Sequence, residues 1–171
     1  AWLNGVHLRQ LSPEELGQRL LPFLGEHIIT SVDESYLRRI IPLVQERLKT
    51  LSDILDLAAF FFTENLQPDP ELLARKLGWE QTTKALQLAV EDLDTAVPTW
   101  DASQIETSLR DISVKLGLTA GQFFGLVRIA VTGRTATPPL FQTMEVLGPD
   151  RCLLRLRTAL NYLSESHTLS P

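Results

Sequence analysis

The sequence predicts an all-α fold organised as two helical subdomains. Apolar residues recur every three or four positions along almost the whole 171-residue chain, which is the spacing of amphipathic helices. Alternating strand patterns are essentially absent, and Ser, Thr or Asp precedes several apolar stretches, as at helix starts. Pro68 and Pro70 interrupt the pattern, so we expect a first subdomain over residues 1–69 and a second over residues 70–171.

Three helices are predicted in the first subdomain. Ser12 and Glu15 have the spacing of a capping box, with a proline between them at the first helical position. Asp33 is expected to cap the second helix. Ser52 opens a third helix, which ends near the phenylalanines at positions 60–62.

The second subdomain begins with a helix that Asp69 caps and Pro70 starts. Amphipathic patterns over about residues 80–97 and 102–116 predict two more helices. Gly117 follows directly, as glycine often does where a helix ends.

Three further helices are predicted beyond this point. Residues 119–122 have the pattern of a second capping box. Thr137 is expected to cap a helix whose first residue is Pro138. The last helix is predicted from Pro149 to about Tyr162, followed by a polar tail.

Composition excludes several classes of protein. The chain has 16 basic and 21 acidic side chains, a net charge of −5, so it is not a polybasic, histone-like protein. Its single cysteine, Cys152, allows no intrachain disulfide and no cysteine-based zinc site, and indicates a reduced thiol in a cytoplasmic protein. The longest apolar run, residues 57–62, is too short to span a membrane.

No arrangement of residues indicates catalysis by this chain. His7, His27 and His167 stand far apart without further metal ligands nearby, so we expect no metal site. A phosphate-binding loop, a dinucleotide fingerprint and a nucleophile elbow are all missing from the sequence.

Arginine is concentrated in residues 120–160. This region holds two acidic residues and five arginines: Arg128, Arg134, Arg151, Arg155 and Arg157. Because arginine binds phosphates and stacks on bases, the region favours an RNA-binding face. If Arg155 takes part in RNA binding at all, we expect it to contact phosphate rather than a base. The alternative is that these arginines pair with the first 69 residues, which carry six basic and ten acidic side chains.

Residues 127–141 have an unusual pattern for a structural helix pair. An arginine-bearing apolar helix ends, a polar loop follows, and Thr137 with two prolines begins the next helix. Such a rigid, donor-rich corner is suited to recognising an unstacked base. The alternative is an ordinary helix–loop–helix corner.

At this segment the sequence resembles bacterial glutamyl-tRNA synthetases. Residues 128–133, 137–141 and 146–148 are similar to the carboxy-terminal part of that family. Residues 2–16 resemble the stretch just after its catalytic region, and Tyr36–Arg39 and Phe60–Glu64 follow in the same order. The resemblance covers nearly the whole chain.

The resemblance implies an α-helical cage of two anticodon-binding subdomains. Such a chain binds the anticodon loop of glutamate tRNA, while a missing amino-terminal catalytic domain ligates glutamate using ATP and Mg²⁺. The chain itself would then be a non-catalytic fragment of a cytoplasmic ligase, with no cofactor of its own. We expect a monomer that binds neither DNA nor a membrane.

The resemblance also implies which residues contact the anticodon. Arg47 matches an arginine that recognises the third anticodon base and helps to separate glutamate from glutamine tRNA. The other contacts fall on Arg128, Thr137, Pro138 and Leu140. A guanidinium can donate to O2 and N3 of cytosine, whereas guanine presents a donor edge there. The alternative for Arg47 is a favourable position in a last helical turn.

Two other functions remain open at this stage. The chain could be a helical protein-interaction scaffold that docks through Phe60–Phe62, although such a cluster also suits core packing. It could also come from a related synthetase that has lost anticodon selectivity.

Overall fold

The computed structural model confirms the all-α fold. It describes residues 2–25, 33–95, 97 and 99–168, and none of these lies in a β-strand. The chain forms two compact units, Ala1–Glu64 and Asn65–Pro171, called here the first and the second unit. This division lies before the predicted boundary at residues 69–70, because Leu66 packs within the second unit, 3.3 Å from where a Cβ on Gly133 would lie.

Capped helices build the first unit. Its α-helices in the described residues are α1 (Trp2–Gln10), α2 (Pro13–Leu24), α3 (Glu34–Val44) and α4 (Ile54–Phe62). The capping box of Ser12 and Glu15 forms as predicted, and Asp33 caps α3. α2, α3 and α4 pack on one another, with Phe60 and Phe61 inside their core.

The start of α4 differs from the prediction. Two short 3-10 helices, Gln45–Arg47 and Leu51–Asp53, connect α3 to α4. Ser52 lies inside the second of them and does not open the helix. The Asp53 carboxylate accepts hydrogen bonds from the Thr50 backbone N–H and hydroxyl instead, both at 2.8 Å.

The second unit is a bundle around its last helix. Its α-helices in the described residues are α5 (Pro70–Ala74), α6 (Trp79–Thr95), α7 (Ala102–Lys115), α8 (Ala120–Thr132), α9 (Leu140–Leu147) and α10 (Pro149–Thr168). α10 packs along α6 and also touches α5, α8 and α9. Asp69 caps α5, and the capping box of Thr119 and Gln122 starts α8, both as predicted.

Two boundaries of the second unit were predicted wrongly. α10 continues to Thr168, beyond the predicted end near Tyr162. α9 begins at Leu140 with Pro139 at its N-cap position, so Pro138 is not helical and Thr137 does not cap the helix. A cap at Thr137 would need a backbone N–H two or three residues on, and Pro139 has none. The Thr137 hydroxyl instead accepts from Arg128 and donates to the Pro138 carbonyl.

Cys152 lies on α10 and is buried against the end of α9. Its thiol donates to the carbonyl oxygen of Met144, with 3.6 Å between the two atoms. The same carbonyl accepts from the Trp100 indole N–H at 2.9 Å and from the Gly148 N–H at 3.0 Å. Burial raises the pKa of the Cys152 thiol to about 12, so the thiol stays protonated.

In the part of the chain that the structure describes, the helices are either too short or too polar to cross a lipid bilayer.

Candidate nucleic-acid interface

Arg47 is the last residue of the 3-10 helix Gln45–Arg47, and it is exposed. The Gln45 amide fixes this short helix to the end of α1, because its Nε2 donates to the carbonyls of Leu8 at 3.0 Å and Leu11 at 2.9 Å. Leu48, directly after Arg47, is 0% exposed. Arg47 therefore projects from a backbone that is held on both sides.

Gly5 brings α1 close to this segment. A Cβ on Gly5 would lie 3.4 Å from the Leu48 carbonyl oxygen and 3.6 Å from the Cα of Lys49. A larger side chain would push the two backbones apart. This close approach explains a glycine in the middle of a helix, where glycine is otherwise unfavourable.

Asp53 holds the backbone that follows Leu48. Its carboxylate accepts the N–H of Lys49 at 3.0 Å in addition to the N–H and hydroxyl of Thr50. These hydrogen bonds, that of the Thr50 N–H foremost, lower the pKa of Asp53 below its ordinary value of 3.8. The segment from Gln45 to Asp53 is thus anchored by side chains at both ends.

The other predicted site residues meet at a corner between α8 and α9. The Nε of Arg128 donates to the Thr137 hydroxyl oxygen at 3.2 Å. That hydroxyl in turn donates to the Pro138 carbonyl at 2.8 Å. Thr137 therefore orients the Arg128 guanidinium. Leu140 follows as the first residue of α9.

Burial differs among the residues of this corner. Thr137 is 9% exposed, Leu140 is 3% exposed and Pro138 is buried, whereas Arg128 is half-buried. The three buried residues set the shape of the corner, and the guanidinium supplies its charge. Arg47 belongs to the first unit and these four residues to the second.

The end of α8 is closed by internal hydrogen bonds. Gly133 takes the left-handed conformation, with φ of 71°, and its N–H donates to the Ile129 carbonyl at 2.8 Å. The Thr132 hydroxyl donates to the Arg128 carbonyl at 2.6 Å and accepts the N–H of Arg134 at 3.2 Å. These bonds fix the backbone that leads into the corner.

Arg155 completes this closure, and its expected role as a phosphate contact is wrong. Its side chain is 1% exposed, and its Nη1 donates to the Val131 carbonyl at 2.6 Å. A carbonyl near the end of a helix has no partner within the helix, so this guanidinium satisfies it. Arg157 also serves structure, since it pairs at 2.9 Å with Asp94 of the same unit.

The structure offers no metal site among the residues that it describes. No group of three or more His, Cys, Asp or Glu side chains comes together there to hold an ion. His7 is exposed on α1. His27 and the side chain of His167 lie outside the described residues.

Sequence reasoning missed the side chains that support Arg47. Thr50 and Asp53 have the three-residue spacing of a capping box, so the signal for this anchor was present. Gln45 and Gly5 act through contacts between distant parts of the chain. Such contacts leave no local pattern in the sequence.

A model of the anticodon-binding domain family matches residues 15–160. The chain belongs to this family. The anticodon-binding domain expected from the sequence resemblance is therefore confirmed.

The relatives of this anticodon-binding domain are enzymes. The glutamate–tRNA ligase of Dehalococcoides mccartyi strain 195 is 41% identical over 169 residues, which cover 96% of this chain and 35% of that protein. The glutamate–tRNA ligase of Roseiflexus castenholzii is 38% identical over 171 residues, with 96% and 34% covered. The chain spans about a third of the length of these curated relatives.

Solved structures share the fold of the domain. A glutamate–tRNA ligase from Elizabethkingia meningosepticum matches with a TM-score of 0.82 and 24% identity, covering 95% of this chain and 32% of that one. A glutamate–tRNA synthetase from Elizabethkingia anophelis matches with a TM-score of 0.75 and 22% identity, covering 94% and 30%. The all-α arrangement is therefore the arrangement found in these larger enzymes.

Replacing Asp53 with alanine should lower the free energy of unfolding at neutral pH by about 0.5–2 kcal/mol, the range for losing a capping side chain. Because the carboxyl pKa is lowered in the folded protein, this contribution is present above the ordinary value of 3.8 and is lost as pH falls through the lowered pKa. Denaturant titrations of the wild type and the Asp53→Ala variant, near neutral pH and below the ordinary pKa, measure the difference in their free energies of unfolding. This difference should become smaller in acid.

Asp33, whose pKa is also lowered, is present in both proteins, and its effect cancels in this comparison. A difference in unfolding free energy that stays constant with pH would contradict the assigned role of the Asp53 carboxylate.

Replacing Arg155 with methionine should destabilise the domain by about 1–3 kcal/mol, because the Val131 carbonyl is then buried without its donor. The matched control is Arg157→Met, which removes an exposed ion pair worth about 0–1 kcal/mol. Urea unfolding followed by circular dichroism compares the two variants. Equally small effects would refute the structural assignment of Arg155.

Proposed function

We propose that this domain binds the anticodon loop of glutamate tRNA as part of a cytoplasmic glutamate–tRNA ligase. The observation that carries the proposal is the Arg128–Thr137 hydrogen bond, which orients a half-buried guanidinium at a rigid corner of an anticodon-binding domain. A catalytic domain outside this chain would ligate glutamate with ATP and Mg²⁺. The parent enzyme is proposed to act as a monomer and to bind neither DNA nor a membrane.

Arg128 is the residue proposed to contact a base at the corner. RNA loops are recognised mainly through unstacked bases, which stack on side chains and hydrogen-bond along their edges. A guanidinium whose Nε is already bound to Thr137 loses little further freedom when its other donors meet a base. Thr137, Pro138 and Leu140 contribute to binding by shaping the surface around that base.

Arg47 is proposed to recognise the third anticodon base. Its guanidinium would donate to the acceptor atoms of cytosine and would face a donor edge on guanine. The anchors at Gln45 and Asp53 support this role, because selection between two bases requires a contact whose position does not adapt to the wrong base.

The protein-interaction scaffold receives less support. Its docking surface was the phenylalanine cluster at positions 60–62, and Phe60 and Phe61 are buried in the core of the first unit. The second candidate is a domain from a related synthetase that has lost anticodon selectivity. It would bind RNA through the same surface and would differ only in the ratio of its affinities for glutamate and glutamine tRNA.

Arg128→Ala should weaken binding of a glutamate anticodon stem-loop RNA by about 1–3 kcal/mol, the range for one base contact or stacking partner. Thr137→Val should weaken it less, since the guanidinium remains but loses the partner that orients it. Electrophoretic titration measures both variants, with Arg157→Ala as an arginine control away from the corner. If Arg128→Ala binds like the wild type, the RNA surface lies elsewhere.

Arg47→Gln should reduce the preference for cytosine over guanine at the third anticodon base by about tenfold or more, which falls within the range of about 1–3 kcal/mol for one specific contact. Stem-loops that differ only at this base measure the ratio for the domain, and charging of glutamate and glutamine tRNAs measures it for the full enzyme. An unchanged ratio with a stability loss of about 0.3–1 kcal/mol would assign Arg47 to helix-end electrostatics instead.

A further inference from the structure

A groove runs between α5, with the residues just after it, and α8, entirely within the second unit. Its cavity volume is about 140 Å³, and one side of it is open to solvent. Its inner surface is apolar and is formed by Leu72, Leu73, Leu77, Leu126 and Ile129.

Two glycines of α8 leave the groove open. Gly121 and Gly125 line it together with Arg128, and a Cβ at either glycine would meet no atom within 4 Å apart from the neighbouring backbone of its own helix. The spacing of these three residues places them on one face of the helix, over about 10 Å of its axis. Since glycine is unfavourable inside a helix, helix formation does not account for this bare strip of backbone.

The rim of the groove is basic. Arg75, Lys76 and Arg128 line the groove, and no Asp or Glu does. Arg75 and Lys76 are exposed, and neither side chain bonds to or pairs with any residue that the structure describes. By contrast, Lys115 and Arg157 of the same unit are paired with carboxylates. In a chain of net charge −5, this rim is suited to an anion from outside.

We propose that this groove is a second nucleotide subsite, which receives one unstacked base of the bound RNA while Arg75 and Lys76 hold a neighbouring phosphate. The apolar floor and the bare helix backbone suit the flat face of a base, and the two cations suit the phosphodiester beside it. Arg128 lines both this groove and the corner with Thr137, so neighbouring nucleotides of one strand can occupy the two sites. The proposal rests on the proposed function, because the RNA is the one bound at Arg128.

A variant that fills the groove without changing any charge tests the base subsite. Gly125→Leu places a side chain in open space on the helix and should leave the thermal unfolding temperature unchanged or raised. It should weaken binding of the glutamate anticodon stem-loop about 5- to 150-fold, the loss expected for one stacked base. Gly125→Ala, which adds a single methyl group, is the matched control and should bind like the wild type.

A second pair of variants tests the phosphate contact. Lys76→Gln should reduce the slope of log affinity against log salt by about 0.7, the value for one phosphate of a single strand, and Arg75→Gln should act similarly. Lys84→Gln removes an equal charge from the exposed surface of α6, outside the groove, and should leave the slope unchanged.

Loops that lack one base at a time identify the nucleotide concerned. One abasic position should weaken wild-type binding and have no further effect in Gly125→Leu, since the same contact is already lost.

If the wild type binds the stem-loop and Arg128→Ala weakens it, while Gly125→Leu and Lys76→Gln bind normally, the groove proposal is overturned and the proposed function stands. If the wild type does not bind the stem-loop, both are overturned. A third outcome would assign the groove to an acidic peptide instead. In that case oligoglutamate displaces the RNA from the wild type but not from Gly125→Leu, and every abasic loop binds equally well.

Discussion

The hydrogen bond from the buried Arg155 guanidinium to the Val131 carbonyl is the constraint on which the second unit depends. It closes the end of α8 in a place that water does not reach, where an unpaired carbonyl would be costly. α8 carries Arg128, lines the groove with its two glycines and leads into the corner with Thr137. If the end of α8 unwound, all three features would lose their common support.

In the first unit, different side chains fix the backbone next to the arginine. Gln45 and Asp53 bond to backbone groups on either side of Arg47, as Thr132 and Arg155 do beside Arg128. In both units, buried or half-buried polar side chains fix the backbone, and an arginine with access to solvent stands on the fixed part. In both units, the side chains that fix the backbone are therefore distinct from the arginine that is proposed to contact RNA.

Caps and apolar spacing in the sequence predicted most of the helices. The features that the sequence did not predict depend on contacts between residues far apart in the chain. The caps at Ser12, Asp69 and Thr119 formed where the sequence placed them, because a cap involves only the next three residues. The cap expected at Thr137 failed, because its hydroxyl binds Arg128 and two prolines follow. Charge counting could not show that Arg155 is buried, and the groove depends on α5 and α8, which are far apart in sequence, lying side by side.

The single cysteine gives this protein a built-in probe of its own motions. Cys152 is buried and, with its pKa near 12, almost never a thiolate while the second unit is closed. An alkylating reagent therefore reacts at a rate set by transient opening of the contact between α9 and α10, as amide exchange reports local unfolding. The rate of labelling at this one sulfur atom would show whether a bound ligand slows the local opening of α9, without any engineered label.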